Sequence, residues 1–152
     1  MADRALTGVK VLEYGELVAG PYCGKMLADL GADVITVEKP GLGDASRRRG
    51  PFPEDVPHQE KSGLFLYLNT NKRGITLNLE TAAGRDIFKR LIKEEDILVE
   101  DRAPAEMERL GLSYLRPARP GGLERLLHPG APHHAPGPHG CPAARVGPGH
   151  KN

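Results

Sequence analysis

The residues whose types and spacing could handle a ligand lie in two short stretches. Gly15 and Gly20 bracket the loop GELVAGP (residues 15–21), which follows the apolar run VKVLEY (9–14); Glu38-Lys39 closes a second apolar run, DVITVE (33–38). A glycine-bearing loop between a strand and a helix exposes backbone amides, and amides gathered at a helix N-terminus accept an anion such as a phosphate. Charged residues at the end of the next strand lie where a nucleotide's ribose or adenine is commonly held. Taken alone, the Glu38-Lys39 pair reads equally as a polar strand end. The dinucleotide fingerprint G-x-G-x-x-G is absent, because only Gly15 and Gly20 are present. The loop therefore allows a nucleotide-like ligand and gives little support to NAD.

Three other groups carry less. Arg47, Arg48 and Arg49 sit in a long polar segment, residues 41–63; loops of that length are often functional, but a run of cations is more simply a solvated face, and that reading is preferred. Five of the six histidines fall in the last 38 residues, with His133, His134 and His139 close together. Metal coordination needs ligands held at fixed geometry, and the surrounding Pro and Gly offer no scaffold, so no metal site is expected. The two cysteines, Cys23 and Cys141, cannot build a disulfide framework, and Cys23 reads as a small hydrophobe on a helix face.

The elements that must position these residues follow from apolar periodicity. Residues 9–14 and 33–38 are β-branched and apolar runs, as buried strands should be. Between them a helix is predicted from Pro21 to Leu30, with Tyr22, Cys23, Met26, Leu27 and Leu30 on the side that packs against a sheet, and Gly31 as a left-handed cap. This is a βαβ unit with a parallel strand pair. GITLNL (74–79) alternates like a half-exposed strand; residues 81–96 form a helix with Ile87, Phe88, Leu91 and Ile92 on one face; ILVE (97–100) is a buried strand; and residues 103–111 form a short helix ended by Gly111. The expected fold class is α/β, a Rossmann-like partial large domain with a mostly parallel sheet.

Length and charge set the outer bounds. At 152 residues there is room for one sizeable core. With 21 basic and 20 acidic residues there is no field to attract nucleic acid or an anionic membrane. The first residues lack a signal peptide's apolar run, and no stretch reaches the roughly 20 apolar residues of a membrane span, so a cytoplasmic protein is expected. Composition changes after Tyr114: Pro, Gly, Ala, Arg and His make up 29 of the 38 residues from Leu115 to Asn152. So few apolar side chains cannot offset the loss of about 1–2 kcal/mol of backbone entropy per ordered residue. Residues 1–114 are thus expected to fold, and residues 115–152 to form a disordered, Pro/Gly/His-rich tail.

The series LTGVKVLEYGELVAGPYCGKMLADLGADVITVEKPGLGD, then GPF, then LNTNKRGITLNLETAAGRDIFKRLIKEEDILVED, then MERLGLSY, resembles the N-terminal portion of the class III coenzyme A transferases (the CaiB/BaiF family), which include formyl-CoA transferase and carnitine CoA-transferase. It runs in order from residue 6 to 114, and AGPYCGKMLADLGADVITVE and NKRGITLNL together are highly specific. The resemblance implies a Rossmann-like domain, an interlocked homodimer, no permanently bound cofactor, and CoA or acyl-CoA as substrate with a carboxylic acid as acceptor. It places Val18, Ala19 and Lys39 at the nucleotide half of CoA, and has Leu77, Asn78, Leu79, Glu80, Asp101, Arg102, Ala103 and Arg109 line the site. A cation at residue 39 can sit over adenine or meet phosphate, although arginine stacks better. The family usually reads Glu-Asn-Phe-Arg-Pro-Gly where this chain has EDRAPA, so an acidic Asp101 stands where a neutral amide is common and would disfavour a nearby phosphate.

The family's chemistry depends on a later aspartate, often in a Gly-Tyr-Asp setting. Its carboxylate attacks the thioester, giving a mixed anhydride and then an aspartyl thioester that the acceptor acid resolves. No residue here matches it, since no aspartate follows Asp101, so the resemblance assigns no catalytic residue. The likeness ends where composition changes, as out-of-frame translation of GC-rich coding sequence would produce, and that origin is favoured over a natural linker. The expectation is an inactive, truncated transferase-like chain. Two alternatives share the N-terminal pattern: a fragment related to α-methylacyl-CoA racemase, and a non-catalytic CoA-binding module.

Overall fold

The structure, a computed structural model, describes residues 4–113; the expected tail lies outside them. Its centre is strand β1 (Lys10–Tyr14), in which Val11 to Tyr14 are all buried. β1 lies between β2 (Asp33–Glu38) and β4 (Ile97–Glu100), and β3 (Arg73–Thr76) pairs with the far side of β2. All three pairings are parallel, with Leu12 opposite Ile35 on one side and Leu98 on the other. The order β3-β2-β1-β4 is that of the first half of a doubly wound sheet. The expected α/β class with a parallel sheet is what the chain adopts.

Alternation along β1 divides the core between the two sheet faces. Leu12 and Tyr14 point to one, where they meet Phe88 and Ile92 of helix α3 (Ala82–Glu94) and Met107 of helix α4 (Pro104–Arg109). The Tyr14 and Phe88 rings meet edge to face at 5.4 Å. Val11 points the other way, with Val34, Val99 and Ala28 of helix α1 (Ala19–Asp29). Polar side chains cap two of the helices: Thr81 accepts from the Gly84 amide at the start of α3, and Ser62 from the Phe65 amide at the start of α2 (Gly63–Leu68).

Several sequence expectations need correction. Helix α1 begins at Ala19, two residues before Pro21; proline still fits because the first turn has no intrahelical use for its amide. The stripe predicted to face the sheet is largely outside, with Tyr22, Met26 and Leu30 each almost half exposed. The sheet-facing residues are Gly20, Pro21, Gly24 and Ala28, with Cys23 and Leu27 only partly buried. Small residues win because the helix lies so close to β1: a Cβ on Gly24 would come within 1.7 Å of the Glu13 carboxylate. Gly31 does adopt the predicted left-handed cap, at φ +103°. β3 ends at Thr76; the Leu77 amide still donates to the Glu38 carbonyl at 2.9 Å, and the chain then turns through Asn78 to Glu80 into α3. Periodicity did not predict α2; its signal is Ser62, a cap residue ahead of the apolar run LFLYL.

Candidate functional site

Because every strand is parallel, all four carboxyl ends open on one edge of the sheet, and a cleft of about 220 Å³ lies there. Each strand end supplies part of its wall. Tyr14 to Glu16 follow β1, Val37 to Lys39 close β2, Leu77 to Glu80 follow β3, and Arg102 and Glu106 follow β4. A shallower recess beside it is lined by Leu17, Asp101 and Ala103, among others.

The loop after β1 is organised by a carboxylate. Asp101 accepts from the Glu16 amide at 2.9 Å and from the Gly20 amide at 2.8 Å. The helix N-terminus that α/β proteins offer to a phosphate is therefore occupied by the chain's own anion, which also suits the helix dipole. The two glycines singled out in the sequence serve this packing: a Cβ on either would lie 2.7 Å from the other's Cα, and one on Gly20 would also press on Asp101. Between them Leu17 is held at φ +70°, a conformation costly for a side-chain-bearing residue. Its amide donates to Asp44 Oδ2 at 3.1 Å.

The second strand end is also committed. Glu38 takes two bonds from Arg47, at 2.7 and 2.8 Å, and one from the Asp44 amide at 2.8 Å. Burial pushes the Glu38 carboxyl up, but these bonds and the Arg47 charge hold it below the usual range. Arg47 further pairs with Glu60 and lies 3.6 Å over the Phe65 ring. The expectation of a solvated arginine run thus fails at Arg47, which pins the 41–63 segment to the sheet, and Glu38 is not free for a ribose. Arg49 remains exposed, and Arg48 reaches the cleft wall while donating to the Leu42 carbonyl at 2.8 Å. The Lys39 carbonyl accepts from the Gly43 amide at 2.9 Å, and its side chain makes no hydrogen bond or ion pair among the described residues.

At the far wall Arg102 lies 4.6 Å over the Tyr14 ring and pairs with Glu16 at 2.6 Å. Burial raises the Tyr14 phenol above its usual value, Arg102 pulls it down, and Glu106, 3.5 Å from the hydroxyl, pushes it up again. Tyr14 stays a neutral hydroxyl at physiological pH. At the mouth, Arg109 closes on Glu80 through two contacts of 2.7 and 2.8 Å.

Of the residues singled out from the sequence, Lys39, Leu77, Asn78, Leu79, Glu80 and Arg102 come together in the cleft. Asp101 and Ala103 line the adjoining recess, Arg109 reaches the mouth through Glu80, and Val18 and Ala19 line neither cavity. Sequence reasoning missed Tyr14, Arg48 and Glu106. Tyr14 was legible as the last residue of a strand whose carboxyl end faces the ligand edge; Arg48 and Glu106 carried no separate signal. Among the described residues no group of three or more His, Cys, Asp or Glu is placed to hold a metal ion, and no helix is long and apolar enough to cross a membrane.

Comparison with known proteins bears on this arrangement. A family model described as CoA-transferase family III matches residues 6–119. The chain is 44% identical over 117 residues to an acyl-CoA transferase of Fusarium pseudograminearum, covering 74% of this chain and 26% of that protein. It is 42% identical over 109 residues to formyl-CoA:oxalate CoA-transferase of Escherichia coli, covering 72% and 25% respectively. It spans about a quarter of the length of both. Among solved structures, a CAIB/BAIF family protein from Brucella suis superposes with a TM-score of 0.65 at 37% identity, over 74% of this chain and 30% of that one. A Mycobacterium tuberculosis protein superposes with a TM-score of 0.63 at 38% identity, over 73% and 30%. With most of its residues matched by the family model and its sheet shared with solved relatives, the chain belongs to CoA-transferase family III.

Proposed function

We propose that the cleft at the strand ends receives the CoA part of an acyl-CoA, as the N-terminal portion of a class III CoA-transferase that exchanges CoA between an acyl-CoA and a carboxylic acid. One observation carries this reading. Residues that the family resemblance associates with CoA, scattered from Lys39 to Arg102, converge on one cleft built from all four strand ends. Charge distribution supports a particular orientation. Asp101 occupies the α1 N-terminus, so the phosphates are directed to the opposite wall, where Lys39 and Arg48 stand. Leu77 and Leu79 offer apolar contact beside them.

In this reading residues 4–113 bind and orient the ligand and do not attack it. A nucleophilic carboxylate must be free to reach the thioester carbon, and the carboxylates lining the cleft and its recess are engaged, Glu106 by the Tyr14 hydroxyl at 3.5 Å. Glu16 is paired with Arg102, Glu38 with Arg47 and Glu80 with Arg109, while Asp44 and Asp101 accept backbone amides. The aspartyl anhydride of the family, the acceptor acid and the interlocked homodimer belong to the same proposal for the family's complete catalytic unit.

The test is titration of CoA into the full chain, followed by calorimetry. Saturable binding is expected, weakened about tenfold by Lys39→Ala, and with an acyl-CoA in place of CoA no transfer of CoA to added acids. Absence of CoA binding, or an affinity indifferent to Lys39→Ala, would contradict it.

A further inference from the structure

The turn after β3 carries Glu80 to the cleft mouth, where the Arg109 fork meets both of its carboxylate oxygens. The Arg109 and Glu80 side chains are 57% and 49% exposed, respectively. Exposed pairs of this kind add little to stability, so holding the fold together does not account for the arrangement. The Glu80 carboxyl is held below its usual range by Arg109 first, with Lys39 and Arg85 adding their charges. Arg85, in the first turn of α3, also donates to the Glu80 carbonyl at 2.9 Å, and Lys39 lines the same cleft, so three cations gather about residue 80. An arginine fork accepts carboxylate and phosphate with the same bidentate geometry, so a carboxylate at such a focus stands where an external oxyanion would be received.

We propose that Glu80 is a built-in competitor for a phosphate group at the cleft mouth. Without ligand its carboxylate fills the Arg109 fork; a phosphate-bearing ligand binds by displacing it into solvent. The inference rests on the reading of the cleft as a CoA site and adds that residue 80 sets part of the affinity. No covalent bond is made or broken: one anion replaces another at the same donors. Because the pair is exposed, water can solvate the released carboxylate, and a phosphate carrying more charge than a carboxylate takes over the fork.

The experiment compares the full chain with Glu80→Gln, Glu80→Asp and Glu108→Gln, titrating CoA and, separately, inorganic pyrophosphate at one fixed low salt concentration. Glu108 lies one residue from Arg109 and makes no ion pair among the described residues, so its variant controls for the loss of one negative charge. Glu80→Gln is expected to bind both probes about five- to tenfold more tightly, Glu80→Asp, which keeps the charge on a shorter arm, to fall between Glu80→Gln and the parent, and the exposed Glu108→Gln to stay within about twofold of the parent. Binding by Glu80→Gln no tighter than the parent, or no tighter than Glu108→Gln, overturns the proposal. If pyrophosphate follows the expected pattern and CoA does not bind, the competitor role stands and the CoA reading falls. If neither probe binds any of the four proteins, both fall.

Discussion

Lys72 Nζ lies 2.7 Å from Glu13 Oε2, with the two side chains 1% and 0% exposed. The pair joins the loop before β3 to the middle of β1, beneath α1. Lys72 also donates to the Pro21 carbonyl at 2.7 Å, and Thr36 donates to Glu13 Oε1 at 3.0 Å. Burial pushes the Glu13 carboxyl up and the Lys72 ammonium down, and each partner's charge works against those shifts. Removing one partner leaves an uncompensated buried charge. Lys72→Met is expected to destabilise the chain by about 3–5 kcal/mol in urea unfolding at neutral pH.

The same pair fixes a pH dependence. A carboxyl whose folded value is raised contributes stability that is full below its unfolded value, about 4.3, and that is lost as pH rises through the folded value. Without Lys72 the folded value of Glu13 moves higher still. The deficit of Lys72→Met relative to the parent should therefore shrink as pH is lowered from 8 to 5. A deficit that stays constant over that range would contradict the assignment.

Glu38 behaves with the opposite sign. Its carboxyl is held low in the folded chain, so its contribution is present above the unfolded value and lost as pH falls through the folded one. Arg47→Met should lower stability at pH 7, and the difference from the parent should close below about pH 4. Unfolding midpoints measured from pH 3 to pH 8 decide this.

Gly84 tests how the cleft wall is held. Alanine normally gains about 1 kcal/mol over glycine inside a helix. Here its Cβ would lie 1.9 Å from the Asn78 carbonyl oxygen, backbone that must move. Gly84→Ala is expected to cost about 1–3 kcal/mol and to weaken CoA binding, because Asn78 lines the cleft. A stabilised variant would show that the turn yields freely.

Much of this was legible in residues and spacing. The β1-α1-β2 and β3-α3-β4 order followed from apolar runs broken by turn signals, and a parallel sheet places the ligand at its carboxyl edge. Partnership was not legible. Nothing in three consecutive arginines separates Arg47, stacked on Phe65 and paired with Glu38, from its exposed neighbour Arg49. The helical stripe of Tyr22, Met26 and Leu30 misled because apolar periodicity assumes that large residues face inward, whereas Glu13 beneath α1 leaves room only for Gly24. Asp101 could be flagged from sequence as a misplaced charge, but its two amide partners appear only once β4 and α1 are side by side.

Asp101 is the simplest of these to test. Asp101→Ala leaves the Glu16 and Gly20 amides without their acceptor and should cost about 1–2 kcal/mol. Hydrogen exchange at those two amides should quicken, with Asp101→Asn showing a smaller effect. Unchanged exchange would mean that another acceptor takes over.

The central claim is that the edge formed by the strands' carboxyl ends takes the CoA moiety. The most direct measurement is titration of CoA into the isotopically labelled full chain, followed through backbone amide resonances. The account predicts saturable shifts concentrated at Lys39, Leu77 to Glu80 and Asp101 to Ala103. Saturable shifts confined to other surfaces, or none at millimolar CoA, would contradict it.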